Sequence, residues 1–208
     1  MSRRGGSHKL LALALFLGAS TAAAQDAWTE LGQAHDAISD YAWSADFVQT
    51  YVPAGFSSGE SEAGLVSLKI PGMLQWDYDL PYEKSFLIRG ATAFTWNAGE
   101  TSGRKTLLQP ADLNHLALLE LDLGALRQRY EAEASRTEAG VEIHLVPLEA
   151  GHEIRDATLT LEPETHHLVG LAYSDVEGNT TRFELSGHRV AAKPGLFSVP
   201  EDLDWIDY

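Results

Sequence analysis

The chain has 208 residues, 30 acidic against 15 basic side chains, and a formal charge of −15. That balance argues against nucleic acid and anionic membrane surfaces as partners, since both are met by basic patches. No cysteine is present, which excludes disulfides, thiolate catalysis, cysteine metal ligands and a lipid anchor on an N-terminal cysteine.

Residues 1–24 read as a cleavable secretory signal. Arg3, Arg4 and Lys9 supply the positive start, Leu10 to Leu17 the apolar run, and Ala22-Ala23-Ala24 the small-residue cleavage site. The run is too short to cross a bilayer, and Gly5-Gly6 departs from a twin-arginine pattern. Cleavage leaves residues 25–208 as one expected domain, with a formal charge of −18 because all 30 acids remain and three bases are lost. No second apolar run of membrane-spanning length follows, so a soluble exported protein is expected.

From Asp26 to Ser39, Trp28, Leu31, Ala34 and Ile38 recur at helical spacing, with Asp26 placed to cap the first turn. Ala45 to Val52 reads as extended, and residues 53–63 as a Gly-, Ser- and Pro-rich loop. The centre of the chain is residues 64–78. Val66, Leu68 and Ile70 alternate with polar residues, Pro71-Gly72 makes a turn, and Leu74, Trp76 and Tyr78 alternate again, which predicts a hairpin with an apolar face. A second strand pair, 84–88 and 92–97, follows around Arg89-Gly90-Ala91, with Phe94 and Trp96 on one face. A short strand at 105–108 leads to Pro110, suited to a first helical turn, and to the stripe Leu113, Leu116, Leu119, Leu121. Another short helix is expected over 123–129, although Gly124 weakens it. Short strands then recur around Val141 to Leu145, Ala157 to Leu161, 167–174 and 180–186, the last two joined by a turn at 175–179. Phe197 and Val199 end the pattern, before an acidic tail from Glu201. About ten strands without strand–helix alternation predict an antiparallel, mainly β (α+β) architecture with helices added.

No nucleophile elbow, phosphate loop or His-Glu-x-x-His motif is present. His166-His167 is read as a strand end or turn, His152-Glu153 as loop, and Asp77 with Asp79 as a chance pair in an acidic chain. No catalytic residue, metal ligand or cofactor is assigned, and an enzyme is not expected. What remains is an excess of aromatic and apolar side chains on strands, either an ordinary core or the lining of a cavity.

Asp46-Phe47-Val48-Gln49-Thr50, Gly64 to Lys69, Pro71 to Tyr78 and Pro81, then Gly90 with Phe94 to Asn97, Asp175 to Thr181 and Phe197 to Pro200 occur in an order that resembles the LolA family of periplasmic lipoprotein carriers. The resemblance implies an incomplete, strongly curved antiparallel β-barrel with helices forming a lid over a hydrophobic cavity. It implies acylated lipoproteins as cargo, an inner-membrane ABC-type exporter as donor, an outer-membrane acceptor, a periplasmic location and a monomer. By matching position, Leu74 and Trp76 line the acyl-chain cavity, joined by Phe47, Phe86, Phe94 and Trp96, with Leu116 and Leu119 on the lid. A cavity is physically required, because one exposed chain of about 16 carbons costs on the order of 12 kcal/mol in water. Family members usually carry an arginine before the Pro of the central turn, thought to hold the lid closed through backbone contacts. Here that place is Ile70, and Lys69 points to the other face. Another group latches the lid, the protein opens differently, or the cargo differs; an envelope sensor or a carrier of another lipid is the alternative.

Overall fold

The computed structural model describes residues 17–109, 112–149 and 153–207. Residues 1–16 of the expected signal, Pro110 and His152 lie outside these, as does the side chain of Leu113. The alternating segments form strands that pair in two antiparallel runs. The first is β1 (Trp43–Val52), β2 (Glu60–Lys69), β3 (Met73–Leu80), β4 (Lys84–Arg89), β5 (Thr92–Asn97) and β6 (Ser102–Leu107). The second is β7 (Tyr130–Thr137), β8 (Gly140–Pro147), β9 (Ile154–Leu161), β10 (Leu168–Asp175) and β11 (Thr180–Val190). Strand β11 pairs with β1, so the two runs join into one sheet. Strand β12 (Asp204–Asp207) adds to β6 as a parallel partner and gives twelve strands in the order β12-β6-β5-β4-β3-β2-β1-β11-β10-β9-β8-β7.

This order decides where the helices go. Strands β6 and β7 stand near opposite ends of the sheet, yet α2 (Asp112–Glu120) and α3 (Leu123–Arg129) join them along the chain. The connection therefore crosses over one face. Asp122 caps α3, accepting the Ala125 N–H at 3.1 Å, which offsets the weakness introduced by Gly124. The first helix, α1 (Leu17–Ser39), packs on β7 and β8 through Ala27, Leu31, Ala34 and Ile38, all buried. It is held by Glu30, whose buried carboxylate lies 2.6 Å from Arg136 on β7. The main core combines these residues with Leu118, Leu121 and Leu126 of the crossing segment and Ile143, Leu145, Leu159 and Leu161 of the sheet.

Several expectations are corrected. Asp26 is not a cap, because the helix already runs from Leu17 through the alanines. Strand β2 begins at Glu60, so the loop after β1 is shorter than its composition suggests. The acidic tail is not free, since Asp204 to Asp207 pair with β6. A further surprise is Gln75, which is 6% exposed although it alternates with Leu74 and Trp76. The segment around Phe197 covers that face, and the Phe197 N–H donates to Gln75 Oε1 at 2.9 Å.

Candidate functional site

On the inner face, successive strands bring Leu74 and Trp76 of β3 beside Phe86 and Ile88 of β4, pairing Trp76 with Phe86 and Leu74 with Ile88. Ala93 and Thr95 follow on β5 and Thr106 on β6, while Gln49 of β1, Phe183 of β11, and Leu171 and Tyr173 of β10 close the other side. Laid flat, β6 and β10 would stand about 34 Å apart at the usual strand spacing, yet both line one cavity of about 480 Å³. The sheet is therefore strongly curled, and it remains open because β7 and β12 are edges. Leu116 and Leu119 of α2 cover the cavity, with Leu108 from the strand end before it. Among the described residues, its lining holds no acidic, basic or histidine side chain. Such a space suits an apolar ligand.

Of the positions matched to a cavity, Leu74, Trp76 and Phe86 lie in its wall and Leu116 and Leu119 in its cover. Phe47 stands directly behind the wall, its ring edge-on to Trp76 at 4.6 Å and to Tyr78 at 5.0 Å. Gly64 lies between Phe47 and Tyr78 in the pairing, and a Cβ there would fall 2.0 Å from the Asp77 carbonyl oxygen. No other residue fits that position. Phe94 and Trp96 do not reach the cavity. They face the opposite side of the sheet, where Phe94 packs with Leu87 and Phe197, and Trp205 meets Phe94 at 5.3 Å and Trp96 at 5.9 Å. The reason is register: Phe86 pairs with Thr95 and Leu87 with Phe94, so Phe86 and Phe94 cannot share a face.

Periodicity had already grouped Tyr78 with Leu74 and Trp76, but gave no sign of its partner: its hydroxyl donates to Gln49 Oε1 at 3.0 Å. Burial, with Glu62 and Tyr173 close by, pushes the phenol well above its ordinary range. The lid is tied down by another residue that sequence reasoning passed over. The Gly72 N–H, in the turn after Ile70-Pro71, donates to Glu120 Oε1 at 2.5 Å. Burial raises the Glu120 pKa, the Gly72 N–H opposes that shift, and the nearby Asp122 adds to it. Behind this contact, His35 Nδ1 of α1 lies 3.2 Å from the Leu121 carbonyl oxygen. Leu121 takes a left-handed conformation, φ 51°, where α2 ends.

Asp77 and the His166-His167 pair have contacts of their own away from the cavity lining. Asp77 accepts from Gln75 and Ser85, and its carboxylate lies 3.7 Å from Lys193. His166 and His167 sit in the turn before β10; His166 faces Glu30 at 3.9 Å and His167 stacks on His188 at 4.7 Å. Among the described residues, no group of three His, Cys, Asp or Glu side chains is placed to hold a metal ion.

Fold and cavity together define a class: an open, curled antiparallel sheet with a helical cover over an apolar binding space. The model of the family described as outer membrane lipoprotein carrier protein LolA matches residues 41–199, and the chain belongs to that family. No curated protein matches the sequence. Among solved structures, an uncharacterized conserved protein from Thermus thermophilus is similar at a TM-score of 0.57 and 12% identity, covering 88% of this chain and 100% of that one. MucB in the Pseudomonas aeruginosa MucA/MucB complex is similar at a TM-score of 0.52 and 14% identity, covering 87% of this chain and 63% of that one. At such identities the likeness is one of fold.

Proposed function

We propose that the chain, after removal of residues 1–24, is a soluble periplasmic carrier that takes up the acyl chains of lipoproteins. It receives them from an inner-membrane ABC-type exporter and delivers them to an outer-membrane acceptor, as a monomer and without catalysis of its own. The observation that carries this reading is the cavity itself: an apolar space, free of charged side chains among the described residues, under a helix tied to the central turn by Glu120. Binding by dispersion and desolvation suits a shuttle, because it shields apolar chains of varied sequence context yet leaves no strong polar contact to break on release. Membership of the LolA family supports the cargo class.

The test is native mass spectrometry of the protein purified from the periplasm, with solvent extraction of whatever accompanies it. Acylated lipoprotein bound one to one is the expected result. A free phospholipid would point to a carrier of a different lipid. An empty protein that also refuses an added palmitoylated peptide would overturn the carrier reading in favour of an envelope sensor.

A further inference from the structure

The cavity is not uniform along its length. At the end under α2, Leu74, Ile88, Ala93 and Leu116 are all buried; among the lining groups there, Thr106 is polar, on an exposed strand near the sheet edge. In the middle stand Trp76, Phe86 and Phe183, with Trp76 and Phe183 rings 5.0 Å apart. At the other end, which lies towards the loop after β1 and the turns after β3 and β10, the lining becomes Gln49, Tyr78 and Tyr173, all half-buried. Lys84 stands beside them, its Nζ 4.4 Å over the Tyr78 ring and 2.6 Å from Glu62. One end is therefore mainly aliphatic, with Thr106 at its exposed edge, and the other is polar and partly open to water.

Resting on the acyl-carrier reading, we propose that a bound chain lies with its terminal methyl beneath α2 and its ester or amide carbonyl beside Gln49 and Tyr78. The Tyr78 hydroxyl, donating to Gln49 Oε1, orients that amide with Nε2 as its donor, and an acyl carbonyl is an acceptor. The reverse placement would bring the carbonyl among Leu74, Ile88 and Leu116, where of the described lining residues Thr106 alone offers a donor, at the exposed sheet edge, and a carbonyl that does not reach it is left unpaired. Gln49 and Tyr78 are then positioning residues that set the direction of the cargo, while the aliphatic end sets the depth to which it enters.

Two N-palmitoyl diserine peptides test this with the unsubstituted protein. One carries a photoactivatable diazirine beside the amide, the other near the terminal methyl, and the labelled positions are mapped by peptide mass spectrometry. The chain-end probe is expected to label α2 and the β4–β5 hairpin around Ile88 to Ala93; the amide-end probe is expected to label the segment from Tyr78 to Lys84. Exchanged or identical patterns inside the cavity would overturn the direction while leaving the carrier reading standing. Labelling that unlabelled palmitoyl peptide does not displace would overturn the carrier reading itself. Gln49→Leu is expected to weaken binding of the amide-headed peptide by about two- to tenfold, the range of one hydrogen bond. Unchanged affinity would remove Gln49 from the site, and if the variant does not fold the labelling pattern decides alone.

Discussion

Leu74 is the residue on which the cavity depends most directly. It is 2% exposed, stands between Leu68 and Ile88 in the strand pairing, and forms part of the wall. Leu74→Glu would bring a carboxylate into a space where the described lining residues include no cation, which is costly both for an apolar occupant and for the empty site. Uptake of a palmitoylated peptide should be lost while the far-UV circular dichroism persists. Full uptake by a folded variant would take Leu74 out of the site. Glu120 gives a prediction in pH. Its pKa is raised in the folded protein, mainly by burial, so the folded state holds its proton more tightly than the unfolded chain does. The stability linked to this group is present below the ordinary carboxylate pKa and is lost as pH rises through the raised value. Glu120→Gln keeps an acceptor for the Gly72 N–H without a buried charge, and should remove that part of the pH dependence. Urea unfolding at a series of pH values above 4.5, the ordinary carboxylate pKa, measures it; identical slopes for the two proteins would exclude Glu120 as the source.

At the scale of elements, the sheet has a covered outer face as well as a lined inner one. The segment from Phe197 to Asp207 lies over Leu87, Phe94 and Trp96, and β12 fastens its end to β6. Gly103 makes this possible, because a Cβ there would lie 2.5 Å from the Trp205 ring. Trp205 also donates its indole N–H to the Pro200 carbonyl at 3.2 Å. Trp205→Ala should cost about 2–3 kcal/mol of stability, below the usual range for a fully buried tryptophan because this one is half-exposed. Denaturant unfolding checks the loss, and peptide uptake by the folded variant should be unchanged because the affected face is not the cavity. A variant as stable as the parent would show that the segment merely rests on the sheet. The lid differs from this cover. Helix α2 contributes Leu116 and Leu119 to the cavity and is fastened near its end by Glu120 on Gly72, a tie made from the lid towards the turn. At the place before Pro71 where the resemblance leads one to expect an arginine stands Ile70.

For the whole molecule, topology explains why a lid exists at all. Two antiparallel runs meet at β1 and β11, so their far ends, β6 and β7, are separated by the full sheet. Any short connection between them must pass over a face, and curling of the sheet makes that face a hollow. The crossing segment then serves two purposes, with Leu118, Leu121 and Leu126 buried in the core and Leu116 and Leu119 facing the hollow. A formal charge of −18 on the expected mature chain keeps the outside well solvated while the inside stays apolar.

Alternation in the sequence was enough to place most strands and to put Leu74 and Trp76 on one face, and a leucine stripe at helical spacing placed the first crossing helix, because side-chain direction along an element is a local property. The order of motifs sufficed for the family. Other features depended on partners far away in the chain. The match to the family places Phe94 and Trp96 in the cavity, but the register across Gly90-Ala91 turns them outward to meet Trp205. Gln75 looks solvent-facing until Phe197 covers it. Gln49, Tyr173 and Phe183 enter the cavity only because the sheet curls, and Glu120 finds Gly72 only because the crossing helices lie where they do. Local periodicity determines which way each side chain points; what it points at is settled by register, curvature and chain crossing, which exist only once the strands have paired.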